Sequence, residues 1–282
     1  MFDLKSYLKA RAEEVNSALE TYLPQDGQYM GNLGEVMRYS VFPGGKRFRP
    51  ILTLAACEAL GGSRATAMPA ACAFELVHCF SLVHDDLPCM DDDTERRGKP
   101  TCHVAYGEDT ALLAGDGLVI YAFEVAAKTA ELASAETAVR VMRELAVASG
   151  HEGMVGGQIL DMDAQHHGAD KESLLKVHRA KTGALIRGAS RAGAIIAGAT
   201  PEQLQAITEY GELIGLVFQI TDDILDYQDD PDPISFPGLY GMDASRQMAA
   251  ESTERALACL QSFGDKAEPL AALATYLLSR QS

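Results

Sequence analysis

The chain has 282 residues, 47% of them hydrophobic, with 40 Asp and Glu against 24 Lys and Arg and a net charge of −16. That length and apolar content suffice for a large buried core. A field this negative repels polyanions, which excludes a general nucleic-acid or anionic-membrane surface and requires a local basic exception for any polyanionic ligand.

In chain order, Leu4, Leu8, Val15, Leu19 and Tyr22 recur at helical spacing among charged residues, which predicts an amphipathic first helix. Further helices are predicted at about 47–61, 65–87, 108–134, 136–150, 172–198, 202–228 and 242–263, and no segment shows the period of two that marks a strand. Turns are predicted at Pro24-Gln25-Asp26-Gly27, Pro43-Gly44-Gly45, Gly61-Gly62-Ser63, Gly98-Lys99-Pro100 and Pro231-Asp232-Pro233. None is long enough for an interdomain linker, so residues 1–282 are expected to form a single domain. The stretch from Gly183 to Thr200 is rich in Ala, Gly and Ile, but Arg187 and Arg191 sit in its middle, where a bilayer penalises charge. It reads as an interior helix, and no stable membrane association is expected. The start Met1-Phe2-Asp3-Leu4-Lys5 lacks the basic-then-apolar pattern of a secretory signal, and a cytoplasmic location is expected. Cys57, Cys72, Cys79, Cys89, Cys102 and Cys259 form no Cys-x-x-Cys pair and read as buried reduced thiols.

Two acidic clusters follow apolar runs. The first is Asp85-Asp86-Leu87-Pro88-Cys89-Met90-Asp91-Asp92-Asp93 and the second Asp222-Asp223-Ile224-Leu225-Asp226. On a helix Asp222 and Asp226 share a face, with Gln219 and Asp223 nearby, and like charges at that spacing repel by roughly 0.2–0.5 kcal/mol. A hard cation would compensate: Mg²⁺ is commonly held by one or two carboxylates plus substrate phosphates. Neither cluster has the spaced ligands, central Gly and terminal Glu of a calcium-binding EF-hand. Against this acidic background stand Gly44-Gly45-Lys46-Arg47-Phe48-Arg49-Pro50 and Arg96-Arg97-Gly98-Lys99, whose cations suit a diphosphate without metal. His78 precedes Asp85 by seven residues, two helical turns on one face, and Lys181 and Thr182 open an otherwise apolar helix, where a lysine needs a partner.

With these residues in view, the chain resembles the trans-isoprenyl diphosphate synthases, most of all the bacterial farnesyl type. The Gly-Gly-Lys-Arg-x-Arg-Pro element, the two aspartate motifs and the closing Tyr276-Leu277-Leu278-Ser279-Arg280 carry the likeness in this order. The resemblance implies an all-α isoprenoid-synthase-type helical bundle around a deep central cavity, as a homodimer, with the motifs facing each other across its mouth. It implies three Mg²⁺ bound through Asp85, Asp86, Asp91, Asp222, Asp223 and Asp226, gripping the diphosphate of dimethylallyl or geranyl diphosphate. Arg96, Lys181, Thr182 and Gln219 match positions that contact this allylic substrate, with Lys181 also counted as catalytic. Lys46, Arg49, His78 and Arg97 match those that hold isopentenyl diphosphate without metal. Gly45, Ser81 and Phe218 are expected to line the two substrates. The implied reaction is ionisation of the allylic diphosphate, attack by the isopentenyl double bond, and loss of a proton to the departing diphosphate, with water excluded by apolar helices.

Phe80 lies five residues before Asp85, about 7.5 Å along a helix, where an aromatic acts as a floor in similar enzymes. With the extra Pro88 and Cys89 of the first motif, it leads to an expected fifteen-carbon farnesyl diphosphate product. Geranyl or geranylgeranyl diphosphate synthesis, a class I terpene cyclase and a non-catalytic synthase subunit are the alternatives. A cyclase would not need the second cationic group from Lys46 to Arg97, and a modulating subunit commonly loses an acidic motif, whereas both stand here. One segment departs from the family: its Gly-Lys-x-x-Gly-x-Asp stretch and following Lys are missing after Asp226, where Asp229-Asp230-Pro231-Asp232-Pro233 leads directly to Ile234-Ser235-Phe236. Either the connection is genuinely short, passing the role of those cations to Arg96 and Lys181, or a mobile loop has been left out of the sequence. The second is the expectation.

Overall fold

A computed structural model of the chain describes residues 2–25, 31–42, 44–229 and 231–280. Asp26, Gly27 and Pro43 of the predicted turns, and Asp230 of the segment that departs from the family pattern, lie outside the described residues. The helices in order are α1 (Leu4–Tyr22), α2 (Leu33–Val41), α3 (Phe48–Ala59) and α4 (Arg64–Asp85), then a two-residue antiparallel ladder of β1 (Glu95–Arg96) with β2 (Lys99–Pro100). After it come α5 (Cys102–Tyr106), α6 (Glu108–Ala127), α7 (Thr129–Leu132), α8 (Ala135–Ser149), α9 (Met154–His167) and α10 (Lys171–His178). A π-helical turn (Arg179–Gly183) joins α10 to α11 (Ala184–Ile196), followed by α12 (Pro201–Asp229), α13 (Phe236–Tyr240), α14 (Met242–Cys259), a 3₁₀ turn (Gln261–Ala267) and α15 (Glu268–Ser279). The fold is all-α, as expected.

Short polar side chains start several of these helices by satisfying the open N–H groups of the first turn. Asp3 accepts from the Ser6 N–H at 3.1 Å, Ser134 from Thr137 at 3.1 Å and Asp170 from Ser173 at 2.8 Å. α4 is the hub, packed against α3, α6 and α11. Its Phe74, Leu76 and Val77 join Val15 and Leu19 of α1, Leu118 of α6, Leu145 of α8 and Leu185 of α11 in one core. A second core joins Ile51 and Leu52 of α3, Tyr210 and Ile214 of α12, and Leu270, Leu273 and Leu277 of α15. Each such side chain contributes about 1.5–3 kcal/mol by leaving water, and together they fix the helices that carry the acidic clusters.

The predicted helix over 108–134 breaks at Lys128, 172–198 is interrupted by the π turn, and 242–263 ends at Cys259. Helices α2, α5, α9, α13 and α15 were not expected. Gly156-Gly157 near the head of α9 reads as a breaker in sequence, although it is helical here. The run after Gly183 is an interior helix as expected: Arg191 is paired with Glu144 at 2.7 Å and Arg187 with Glu212 at 3.5 Å. By length and composition α4 and the span Glu108–Leu132 could cross a membrane, but 67% of the α4 window is buried inside the protein. All six cysteines are free thiols; Cys89 corrects the expectation of burial, because it lies in the exposed turn beyond α4, and Cys259 is only half-buried.

Candidate active site

α4 ends at Asp85, Asp86 is its C-cap, and the chain then leaves the helix, so Asp91 to Asp93 stand in an exposed turn rather than on the α4 face. That turn folds back through the Asp91 N–H, which donates to the Asp85 carbonyl at 2.8 Å. Asp86 is buried and accepts from Arg96 Nε at 2.7 Å, while Arg96 also reaches Asp93 at 2.9 Å. On α12, Asp222 is paired with Arg280, whose guanidinium also donates to the Phe218 carbonyl at 2.9 Å and lies 4.5 Å above the Phe218 ring. Asp223 is turned to the α12–α13 connection: it accepts from the Phe236 N–H at 2.9 Å and from Gln219 Nε2 at 3.2 Å. Asp226 is exposed. Among the described residues no three acidic, His or Cys side chains converge on one point; the carboxylates are held apart by Arg96, Arg280 and backbone N–H groups.

Lys181 occupies the π turn, a conformation that adds one residue to a helical turn and recurs at functional sites. Its Nζ pairs with Asp161 of α9 at 2.5 Å. α9 comes this close because of Gly157: a Cβ there would lie 2.2 Å from the Lys181 backbone nitrogen. Lys181 and Thr182 line a cavity of about 520 Å³ with Asp85, Phe80, Ser81, His78 and Arg49, together with apolar Leu87, Leu112, Met154 and Ile159. Phe80 packs edge-on against His84 at 5.1 Å.

A second cavity of about 610 Å³ is lined by Gly45, Lys46, Arg49, Glu75, His78, Arg97, Phe218 and Arg280. Arg97 donates to the Gly44 carbonyl and lies flat on Gly45, where a Cβ would be 2.8 Å from its Nη1. Arg49 and His78 line both cavities, so the two adjoin. Asp222 reaches this second cavity through its partner Arg280, which lines it. Arg47, which follows Lys46, also borders this cavity, but its guanidinium is buried and bound to Glu75 at 2.7 Å.

Burial sets the charge states. It pushes Asp85 up to about 6 against the pull of Lys181, and Asp222 up to about 6 against the pull of Arg280. Burial raises Asp86 too, and partial desolvation on the α12 surface, with the neighbouring charge of Asp223, raises the exposed Asp226. Burial, reinforced by Arg49 and Arg97, holds His78 well below the ordinary histidine value, so its imidazole is neutral. Burial also lowers Arg49, whose Nε has no hydrogen-bond partner. The partly desolvated carboxylates are hard oxygen donors of the type Mg²⁺ takes, although Asp86 and Asp222 are now paired with Arg96 and Arg280.

The polyprenyl synthetase family model matches residues 31–238. This chain belongs to that family. Among its relatives, the large subunit 1 of an Arabidopsis thaliana heterodimeric geranylgeranyl pyrophosphate synthase is 41% identical, over 100% of this chain and 80% of that protein. The Catharanthus roseus geranylgeranyl pyrophosphate synthase is 43% identical, over 100% of this chain and 82% of that protein. An FPP/GFPP synthase from Zymomonas mobilis, solved in its apo form, superposes with a TM-score of 0.91 at 35% identity, covering 98% of this chain and 99% of that one. The alignments run over 300 and 296 residues, more than the 282 of this family member, so the plant relatives carry residues that it lacks. Beyond α12, Ser235 caps α13 and Phe236 is fully buried.

Sequence reasoning missed three side chains of the site. Asp161 lies on a helix that was not expected. Glu75 is a lone charge in the apolar run of α4, a signal that it must be paired. Arg280 was read only as part of the closing segment.

Proposed function

We propose that this chain condenses isopentenyl diphosphate with an allylic diphosphate, as a short-chain trans-prenyltransferase. The observation that supports this best is the adjacency of two unlike cavities, one bordered by Asp85, Lys181 and Thr182 and one by Lys46, Arg97 and the Arg280 that pairs with Asp222, both sharing Arg49 and His78. Asp85, Asp86, Asp91, Asp222, Asp223 and Asp226 would hold Mg²⁺, which would supply positive charge for the departing diphosphate. Binding Mg²⁺ through Asp223 requires that carboxylate to turn from its present contacts. Arg96 and Lys181 add fixed cations on the allylic side, and Thr182 and Gln219 orient that substrate. Lys46, Arg49, Arg97 and the neutral His78 hold the isopentenyl diphosphate so that its double bond lies beside the allylic carbon, which supplies proximity. Leu87, Leu112, Met154 and Ile159 keep water from the cation.

The product has fifteen or twenty carbons. The names of the plant relatives favour geranylgeranyl diphosphate over the farnesyl product expected from sequence, while Phe80 at the cavity wall favours stopping at fifteen. Two copies of the chain are further proposed to associate through α6 and α9, where Leu113, Ile120 and Leu160 are exposed and Leu112 and Ile159 run on into the cavity wall; light scattering at micromolar concentration tests this, and a monomer refutes it. Labelled isopentenyl diphosphate offered with dimethylallyl, geranyl or farnesyl diphosphate, with and without Mg²⁺, tests the activity and reads the product length by chromatography. Asp85→Ala and Asp222→Ala are each expected to stay folded and lose most turnover. Full activity in either variant removes the metal assignment, and no elongation with any partner removes the function.

A further inference from the structure

The basic cavity rests on an ion pair to which the reaction assigns no part. The side chains of Arg47 and Glu75 are 1% and 2% exposed and meet at 2.7 Å. Arg47 is the residue before α3 and has φ 47 and ψ 37, a left-handed conformation that disfavours a non-glycine residue by about 1–2 kcal/mol. All three guanidinium nitrogens are engaged: Nε donates to Asn16 at 2.9 Å, Nη1 to Glu75, and Nη2 to the Val41 carbonyl at 2.8 Å. Three elements, α1, the end of α2 and α4, therefore grip the residue that follows Lys46 and precedes Arg49 by two positions. Glu75 precedes His78 by three residues and shares its face of α4. A buried pair is weak evidence of stability, since apolar replacements of both partners are often neutral. What apolar side chains cannot do is hold a strained backbone at one angle by directed bonds.

We propose that the buried Arg47–Glu75 pair is a positioning device for the metal-free diphosphate site, locking the turn that aims Lys46 and Arg49 at the same ligand. It rests on the reading of that cavity as the isopentenyl diphosphate site. Arg47 and Glu75 act through Lys46 and Arg49 and are positioning residues. The pair is also neutral in sum, so the basic field of the cavity comes from its ligand-facing cations alone. The device serves mainly one of the two substrates: Arg49 borders both cavities, but Lys46 borders only the metal-free one, and the allylic side has Lys181 and the aspartates besides.

The test measures isopentenyl diphosphate binding by calorimetry without Mg²⁺, and KM for each substrate with Mg²⁺. The double variant Arg47→Met/Glu75→Leu is expected to fold, to bind isopentenyl diphosphate about tenfold more weakly and to raise its KM to the same extent, with the allylic KM within about twofold. A milder variant, Asn16→Ala, leaves both buried charges in place and is expected to weaken binding roughly threefold, with Asn16→Asp restoring it. A folded double variant that binds isopentenyl diphosphate like the wild type overturns the proposal, as does an equal rise in both KM values. If the double variant does not fold, the Asn16 variants decide by the same criteria: selective weakening with rescue supports the device, and wild-type binding overturns it. Failure of the wild type itself to bind isopentenyl diphosphate without metal is a different result, which removes the assignment of the cavity and the proposal with it.

Discussion

Arg280→Ala removes the only cation in direct contact with Asp222 among the described residues, and its effect can be worked from the contacts. The side chain is 4% exposed and makes bonds to the Phe218 carbonyl at 2.9 Å and to Thr221 Oγ1 at 3.0 Å, besides its ion pair and its place over the Phe218 ring. At about 1 kcal/mol for each neutral acceptor and about 1 kcal/mol for the ring contact, the variant should lose roughly 2–4 kcal/mol of stability. The second effect is on titration. Asp222 stands at about 6 because burial outweighs the opposing pull of Arg280. Without that pull the carboxyl must rise further, and a charge-assisted bond of about 1.5–3 kcal/mol corresponds to roughly one to two pH units. Since Mg²⁺ requires the ionised carboxylate, the acid limb of the Mg²⁺-dependent rate should move from near 6 to between about 7 and 8. Rate profiles from pH 5 to 9 at several Mg²⁺ concentrations, with urea unfolding alongside, measure both quantities. An acid limb that stays in place while stability falls would refute the assignment of Asp222 as the titrating ligand.

Asp85→Asn should stabilise the ligand-free protein while abolishing turnover. A carboxyl at about 6 instead of the usual 3.8 disfavours the folded state above pH 6, and that penalty is relieved as the pH falls from 6 to 3.8. Discounted for partial exposure, the gain at pH 8 is roughly 1 kcal/mol, read as a higher melting temperature that is absent at pH 4. Phe80→Ala should lengthen the principal product by at least one five-carbon unit and cost about 3 kcal/mol, the low end for such a change because the ring already borders a cavity; an unchanged chromatogram contradicts its role as a floor. In Gly157→Ala the new methyl meets the Lys181 backbone, so a loss of about 1–3 kcal/mol should accompany a raised allylic KM. Wild-type values for both would show that α9 can move away from the π turn at no penalty.

The spacing of Asp222 and Asp226 was legible because α12 runs unbroken through both. His78 and Asp85 were legible for the same reason on α4, and both line one cavity. Around Arg47 the sequence is less informative. Three adjacent cations look alike, and which one turns inward is decided by the left-handed backbone at Arg47 and by a glutamate 28 positions later. Asp161 was hidden because Gly156-Gly157 carries the signature of a break, while the reason for that glycine is a helix pressed against Lys181. The spacing of Leu270, Leu273 and Leu277 does carry α15 in the sequence. The π turn leaves no such trace, since nothing in Arg179-Ala180-Lys181-Thr182-Gly183 separates it from an ordinary helix.

That turn also acts as a phase shifter. One surplus residue rotates everything beyond it by about 100° relative to a regular helix, so α10 and α11 lie in sequence as one rod but present their faces out of step. Deleting Ala180 would heal the rod and improve its hydrogen bonding, and would swing Lys181 and Thr182 away from Asp85. Stability and turnover therefore both depend on the surplus residue, because without it the buried Leu185, Ile186 and Ala189 of α11 would be rotated out of the core.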